Sequence, residues 1–123
     1  NDPFDLVRSP DRQGYKKTVW TMLALTAPDQ LRQRMAWAIS QIIPITTFDS
    51  STRYESEPHI QYYDIFVRNA LGNYKDVLRE VAFSPQMGEF LTYLGSRKAT
   101  GTNGHPDENF AREILQLFSI GTV

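Results

Sequence analysis

The part of the sequence most suggestive of chemistry is GHPDENFAREILQLF, residues 104–118. It combines acids, amides, an arginine and a histidine, which can act as general acids and bases or as oxygen ligands for hard cations. The candidate catalytic residues in this stretch are Glu108, Asn109, Arg112, Glu113 and His105. No pattern around them defines a substrate or a reaction.

The same stretch can also be interpreted as the polar side of an amphipathic helix. At helical spacing, Glu108, Asn109, Arg112 and Glu113 fall on one side, and Phe110, Ile114, Leu117 and Phe118 fall on the other. Asp107 and Glu108 would then oppose the helix dipole in the first turn. Asn109, Glu113 and Gln116 offer oxygens to a cation, but two of these are uncharged amides, so we predict no metal and no cofactor.

An earlier helical stretch, LRQRMAWAISQI, places a charge among apolar residues. Leu31, Met35, Ala38, Ile39, Ile42 and Ile43 share one broad face, which we expect to enter the core. Arg32 falls inside this face and must reach solvent or a carboxylate. We predict a structural ion pair between Arg32 or Arg34 and an acid on another helix, with Asp64, Glu108 and Glu113 as candidates.

Composition and missing motifs narrow the classes of function. The net charge of −1 disfavours nucleic-acid binding, and the absence of cysteine excludes disulfides, thiolate catalysis and zinc–sulfur sites. The loop GTNG, residues 101–104, lacks the phosphate-binding pattern, and neither a serine elbow nor HExxH occurs. No apolar run approaches the roughly 20 residues of a transmembrane helix.

The 123 residues are enough for a single helical domain or domain fragment. The patterning predicts an all-α fold of about six helices in an irregular orthogonal or bundle-like array, part of a larger helical protein. The expected helices are Lys16–Leu25, Asp29–Ile43, His59–Leu71, a helix capped by Asn73 that ends near Phe83, a short helix from Ser84-Pro85 to about Gly95, and Pro106–Ile120. Residues 1–15 look irregular, and residues 45–58 and 96–105 look like exposed loops.

Three segments resemble an uncharacterised bacterial family, numbered eighteen hundred among the domains of unknown function. They are LRQRMAWAISQI, YYDIFVRNALGNYKDVLREVAFSPQMGEFLTYLGSRK and PDENFAREILQLFSIG, in this order. The resemblance implies a mostly helical and usually longer protein, often exported and encoded beside a second exported protein similar to the alkaline-phosphatase and sulfatase fold. No catalytic residue is established for this family, so none is carried over.

Two functions stay open from the sequence. The first is a helical interaction or scaffold module, a fragment or subunit of a larger exported or assembly-bound protein. Its partner would be another protein or the remainder of its own chain. The alternative is part of an uncharacterised hydrolase-like or metal-dependent enzyme, with a polar site on the C-terminal helix.

Overall fold

The computed structural model describes residues 12–46, 56–100 and 104–121. These residues form six helices: α1 Arg12–Thr26, α2 Gln30–Ser40, α3 Ser56–Asn69, α4 Tyr74–Ala82, α5 Pro85–Phe90 and α6 Asn109–Leu115. The described ranges contain no β-strand, so the predicted all-α fold is confirmed. Helix α3 is central in a bundle-like array because it packs against α1, α2, α4 and α5.

The first three helices differ from the predicted bounds at their ends. Helix α1 begins at Arg12, before the predicted Lys16. Gly14 does not interrupt it, because one glycine weakens a helix by only about 1 kcal/mol. Helix α2 ends at Ser40, before the predicted Ile43, and the next two N–H groups turn back to carbonyls three residues earlier. Helix α3 begins at Ser56, since Pro58 is tolerated in a first turn. The predicted irregular segments 1–15 and 45–58 are therefore partly helical; their residues 1–11 and 47–55 lie outside the described residues.

The start of α4 agrees with its predicted cap, and α5 begins at the predicted proline. The Asn73 side chain accepts a hydrogen bond from the Lys75 N–H at 2.9 Å. Ser84 Oγ accepts from the Met87 N–H at 3.2 Å, and Pro85 opens α5. Helix α5 ends at Phe90, well before the predicted Gly95.

The last helix is shorter than predicted at both ends. It begins at Asn109 and not at Pro106, and it ends at Leu115 and not at Ile120. After Leu115 the chain turns, and the Phe118 N–H donates to the Glu113 carbonyl oxygen at 2.8 Å. This turn buries Phe118, whose carbonyl oxygen accepts a hydrogen bond from the Tyr74 hydroxyl at 2.6 Å. The end of the helix thus coincides with a buried aromatic ring whose backbone is held by the distant Tyr74.

The core lies around α3. Its fully buried large side chains are Ile43, Phe66, Val77, Val81 and Met87. They come from α3, α4, α5 and the turn after α2, so each of these segments contributes to one hydrophobic cluster. No helix in the described part of the chain is both long and apolar enough to span a bilayer.

The predicted core face of α2 is wrong for most of its residues. The helix buries Ala36 completely and Gln33 to 9% exposure, and these two residues belong to a different side. Leu31, Met35 and Ile42 keep 67%, 38% and 49% exposure, and Ala38 is exposed as well. Of the predicted face, Ile43 is buried and Ile39 packs partly against the core. Ala36 is small and fully buried in the core cluster, so this side of α2 can pack closely.

Candidate functional site

Arg112 is the centre of a polar cluster at the start of α6. Its Nη1 lies 3.2 Å from Glu108 Oε1, and its Nη2 donates a hydrogen bond to Asn109 Oδ1. Its Nε lies 3.8 Å from Glu113 Oε1. The structure therefore brings Glu108, Asn109, Arg112 and Glu113 together, with one guanidinium between two carboxylates.

The members of this cluster differ in exposure. The side chain of Glu108 is 75% exposed and that of Arg112 is 48% exposed. Ion pairs between such groups contribute less than about 1 kcal/mol to stability. The pairing of Arg112 with Glu108 therefore orients the guanidinium more than it stabilises the fold.

Glu113 is the unusual member. Its side chain is only 16% exposed. Its Oε2 is buried and has no hydrogen-bond partner among the described residues. Buried carboxylate oxygens are normally hydrogen-bonded, because the loss of water is otherwise uncompensated. Glu113 is therefore the member of the cluster that carries an unsatisfied buried oxygen.

Asp107 connects the loop after α5 to the start of α6. Its Oδ1 accepts from the Asn109 N–H at 2.9 Å, and its Oδ2 accepts from the Thr92 hydroxyl at 2.7 Å. Its own N–H donates to Ser96 Oγ at 2.9 Å. The hydrogen bond from Thr92, followed by that from Asn109, lowers the pKa of the Asp107 carboxyl below its ordinary value. Thr92 and Ser96 were not predicted from the sequence, because a loop hydroxyl carries no signal of which distant residue it will contact.

His105, the fifth candidate, lies in the exposed chain before α6. It borders an open polar cavity of about 740 Å³ together with Arg97, Lys98 and Glu108. Glu108 is thus shared between this cavity and the Arg112 cluster. In the described part of the chain, no group of three His, Cys, Asp or Glu side chains is arranged to hold a metal ion.

The two arginines of α2 do not pair with the described acids that were predicted as their ion-pair partners. Arg32 Nη1 donates to the Val67 carbonyl oxygen at 3.1 Å, at the C-terminal end of α3, and Arg32 Nε lies 3.8 Å from Asp29. Arg34 is exposed. Within the described ranges, neither arginine pairs with Asp64, Glu108 or Glu113.

An ion pair between helices does occur, at residues that the sequence analysis did not single out. Arg68 Nη2 of α3 lies 2.5 Å from Glu80 Oε2 of α4, and Asn69 Nδ2 donates to Glu80 Oε1 at 2.9 Å. The hydrogen bond from Asn69, followed by that from Arg68, lowers the pKa of Glu80. The basic residue in the last turn of α3 was the only signal that could have suggested this pair.

An apolar pocket of about 500 Å³ lies between α1, α2 and α3. Trp20 and Trp37 line it, with ring centroids 4.7 Å apart. Tyr62 also lines it, and its hydroxyl donates to the Ile43 carbonyl oxygen at 3.0 Å. Burial raises the pKa of Tyr62 above its ordinary value, so the hydroxyl stays protonated.

The outer side of α2 is an exposed apolar surface. We call Leu31, Met35 and Ala38 of α2, together with Ile42 in the turn after it, the α2 stripe, because their spacing places them on one side. Met22 and Leu25 of the neighbouring α1 are also exposed, at 60% and 76%. Single exposed apolar residues are common, but an aligned set of them is typical of a surface that binds another protein.

The chain is thus an all-α protein with a polar cluster on α6 and an exposed apolar side on α2. A family model described as "Protein of unknown function (DUF1800)" matches residues 7–123. The chain belongs to this family, and the resemblance found in its three sequence segments is confirmed. A search of curated proteins and a search of solved structures each found no match.

Proposed function

We propose that this chain is a helical interaction module within a larger exported or assembly-bound protein. Its binding surface is the α2 stripe together with the exposed apolar residues of α1. The observation that carries the proposal is that α2 turns Ala36 and Gln33 to the core while Leu31, Met35 and Ile42 stay exposed.

The energetics favour a covered surface in the functional state. Burying a large aliphatic side chain completely contributes about 1.5–3 kcal/mol. The 67% exposure of Leu31 and the 76% exposure of Leu25 leave most of that gain unused in the isolated chain. A partner that covers both helices would recover it, and this supports binding to a protein surface.

Site-specific photo-crosslinking tests this proposal. A benzophenone amino acid at Met35 is expected to yield one defined adduct in cells that make the protein, identified by mass spectrometry. The same group at Lys75 is the control, because Lys75 is exposed on α4. If both positions give the same diffuse set of adducts, α2 has no dedicated partner and the proposal fails.

A second candidate is the enzyme with its polar site on α6, hydrolase-like or metal-dependent. Glu113 favours it, because an unsatisfied buried carboxylate oxygen is costly and such groups occur at catalytic sites. The test is hydrolysis of nitrophenyl phosphate, sulfate and acetate esters, with and without added Mg²⁺ or Ca²⁺. Activity lost in Glu113→Gln and kept in Asp76→Asn would support this candidate, whereas activity kept in both would exclude Glu113 from it.

A further inference from the structure

The α2 stripe has the spacing of a helix–helix seam. Leu31, Met35 and Ala38 follow one another on α2 at intervals of four and three, and Ile42 follows four residues later in the turn that continues the helix. This alternation lets side chains of a second helix insert between them along the axis. Ala38, which is small and exposed, leaves room for a large side chain between Met35 and Ile42. The shape of the stripe therefore fits a helix.

The charge beside the stripe is positive. The α2 sequence, QLRQRMAWAIS, contains two arginines and no acid. Arg32 is turned to the C-terminal end of α3, where it contacts carbonyl oxygens. Arg34 is exposed at the edge of the stripe, has no ion pair with a described residue, and borders a small cavity of about 180 Å³ beside Trp37. An acidic side chain on the partner would meet this unpaired charge.

A second copy of α2 matches the stripe poorly. Two such helices face to face would bring Arg34 of each copy to the same interface, and neither helix has an acid to compensate. Like charges across a helix pair reduce its stability. The charge pattern therefore favours a different chain.

We infer that α2 binds an amphipathic helix of a partner protein, with apolar residues at the same four–three spacing and Glu or Asp along the flank that faces Arg34. This inference rests on the proposed interaction function and adds the kind of partner. The apolar stripe supplies the affinity, and Arg34 selects the partner by charge.

The probe is a stapled, fluorescent helical peptide with leucines at four–three spacing and glutamates on its flanks. Fluorescence anisotropy with the intact chain is expected to show binding. A matched peptide with lysines on its flanks is expected to bind at least about fivefold more weakly. In Arg34→Glu this preference is expected to reverse, and in Ala38→Glu binding to both peptides is expected to fall by at least about tenfold.

Two variants outside the α2 stripe control for non-specific effects of adding a negative charge. Phe83→Glu changes an apolar residue that is 85% exposed on another part of the surface, and Arg79→Glu changes an exposed arginine of α4. Neither is expected to alter binding of either peptide. Because Ala38 and Arg34 are exposed, their variants are expected to fold, which circular dichroism and thermal unfolding check.

Three outcomes would overturn the inference. Equal affinity for both peptides, or none for either, removes the acidic helix as the partner. Sedimentation that shows a dimer of the chain, lost in Ala38→Glu, assigns the stripe to a second copy. Binding to vesicles that contain phosphatidylserine, lost in the same variant, assigns it to a membrane surface. A defined protein adduct at Met35 alongside any of these would sustain the proposed function while this inference fails.

Discussion

Arg32 of α2 donates a hydrogen bond to the Val67 carbonyl oxygen at the C-terminal end of α3, at 3.1 Å. The last carbonyl groups of a helix have no partner within the helix, and the helix dipole makes that end negative. The Val67 carbonyl oxygen accepts only a long bond from the Ala70 N–H, at 3.5 Å, so the guanidinium adds a charged donor there and joins two helices without needing a carboxylate on the other helix.

Replacing Arg32 by Met is expected to lower the free energy of unfolding by about 1 kcal/mol, because a charged donor at a helix end is lost while the aliphatic stem is largely kept. Urea unfolding measures this. Arg34→Met is the matched control on the same helix and is expected to change stability by less than about 0.5 kcal/mol. Equal effects of the two variants would contradict a specific role for Arg32.

The orientation of α2 can be tested with two alanines. Ala36→Leu is expected to destabilise the fold by about 1–3 kcal/mol, since Ala36 is 0% exposed and a larger side chain overpacks the contact with α3. Ala38→Leu, made on the exposed side, is expected to be close to neutral. Thermal unfolding of both variants checks this. A larger loss of stability in Ala38→Leu than in Ala36→Leu would show that the stripe faces the core.

The Glu80 cluster predicts a dependence of stability on pH. Because its folded pKa lies below the ordinary value of 4.5, Glu80 contributes stability above that value, and the contribution is lost as pH falls through the folded pKa. Near neutral pH, the free energy of unfolding of the parent is therefore expected to exceed that of Glu80→Gln by less than about 1 kcal/mol, since the pair is partly exposed. This difference should vanish in acid.

Urea unfolding across the acidic range measures the difference between the parent and Glu80→Gln. Glu57→Gln serves as the comparison, because Glu57 lies in the first turn of α3, accepts a hydrogen bond from Gln61 at 3.1 Å and has no ion pair with a described residue. A difference between the parent and Glu80→Gln that stays constant with pH would mean that Glu80 acts through packing and not through its charge.

Thr92 has a φ of 66°, the left-handed region that is unfavourable for a β-branched residue. Its hydroxyl hydrogen bond to Asp107 offsets part of this strain. In an Asp107→Ala background, Thr92→Gly is expected to raise the free energy of unfolding by about 1 kcal/mol, because strain is relieved and no bond to Asp107 is lost. In the parent background, Thr92→Gly should raise the free energy of unfolding by less, because the hydrogen bond to Asp107 is lost.

Chemical denaturation of both backgrounds measures the Thr92→Gly effect. Thr100→Gly is the control, because Thr100 is exposed and lies outside the positive-φ region. Thr100→Gly should not raise the free energy of unfolding in either background. The same effect of Thr92→Gly with and without Asp107 would show that the two residues are not coupled.

Local patterns in the sequence were sufficient to predict the number of helices, the Asn73 cap, the start of α5 at Pro85 and the family. The cap and the start of α5 depend on residues close together in the chain, through a backbone hydrogen bond and a fixed φ angle, and the family is carried by the sequence itself. The co-location of Glu108, Asn109, Arg112 and Glu113 was predictable for the same reason, because helical spacing alone gathers them.

The tertiary structure decided which side of α2 is buried, where Arg32 donates, and that one oxygen of Glu113 is buried without a partner among the described residues. Helical periodicity identifies an apolar side but cannot say whether that side meets the core or a partner. That outcome depends on how the helices pack together, and the residue that α2 buries completely, Ala36, is not part of the apolar stripe. The end of α6 is also a tertiary feature, because the chain turns where Phe118 is buried and its carbonyl oxygen accepts from the distant Tyr74.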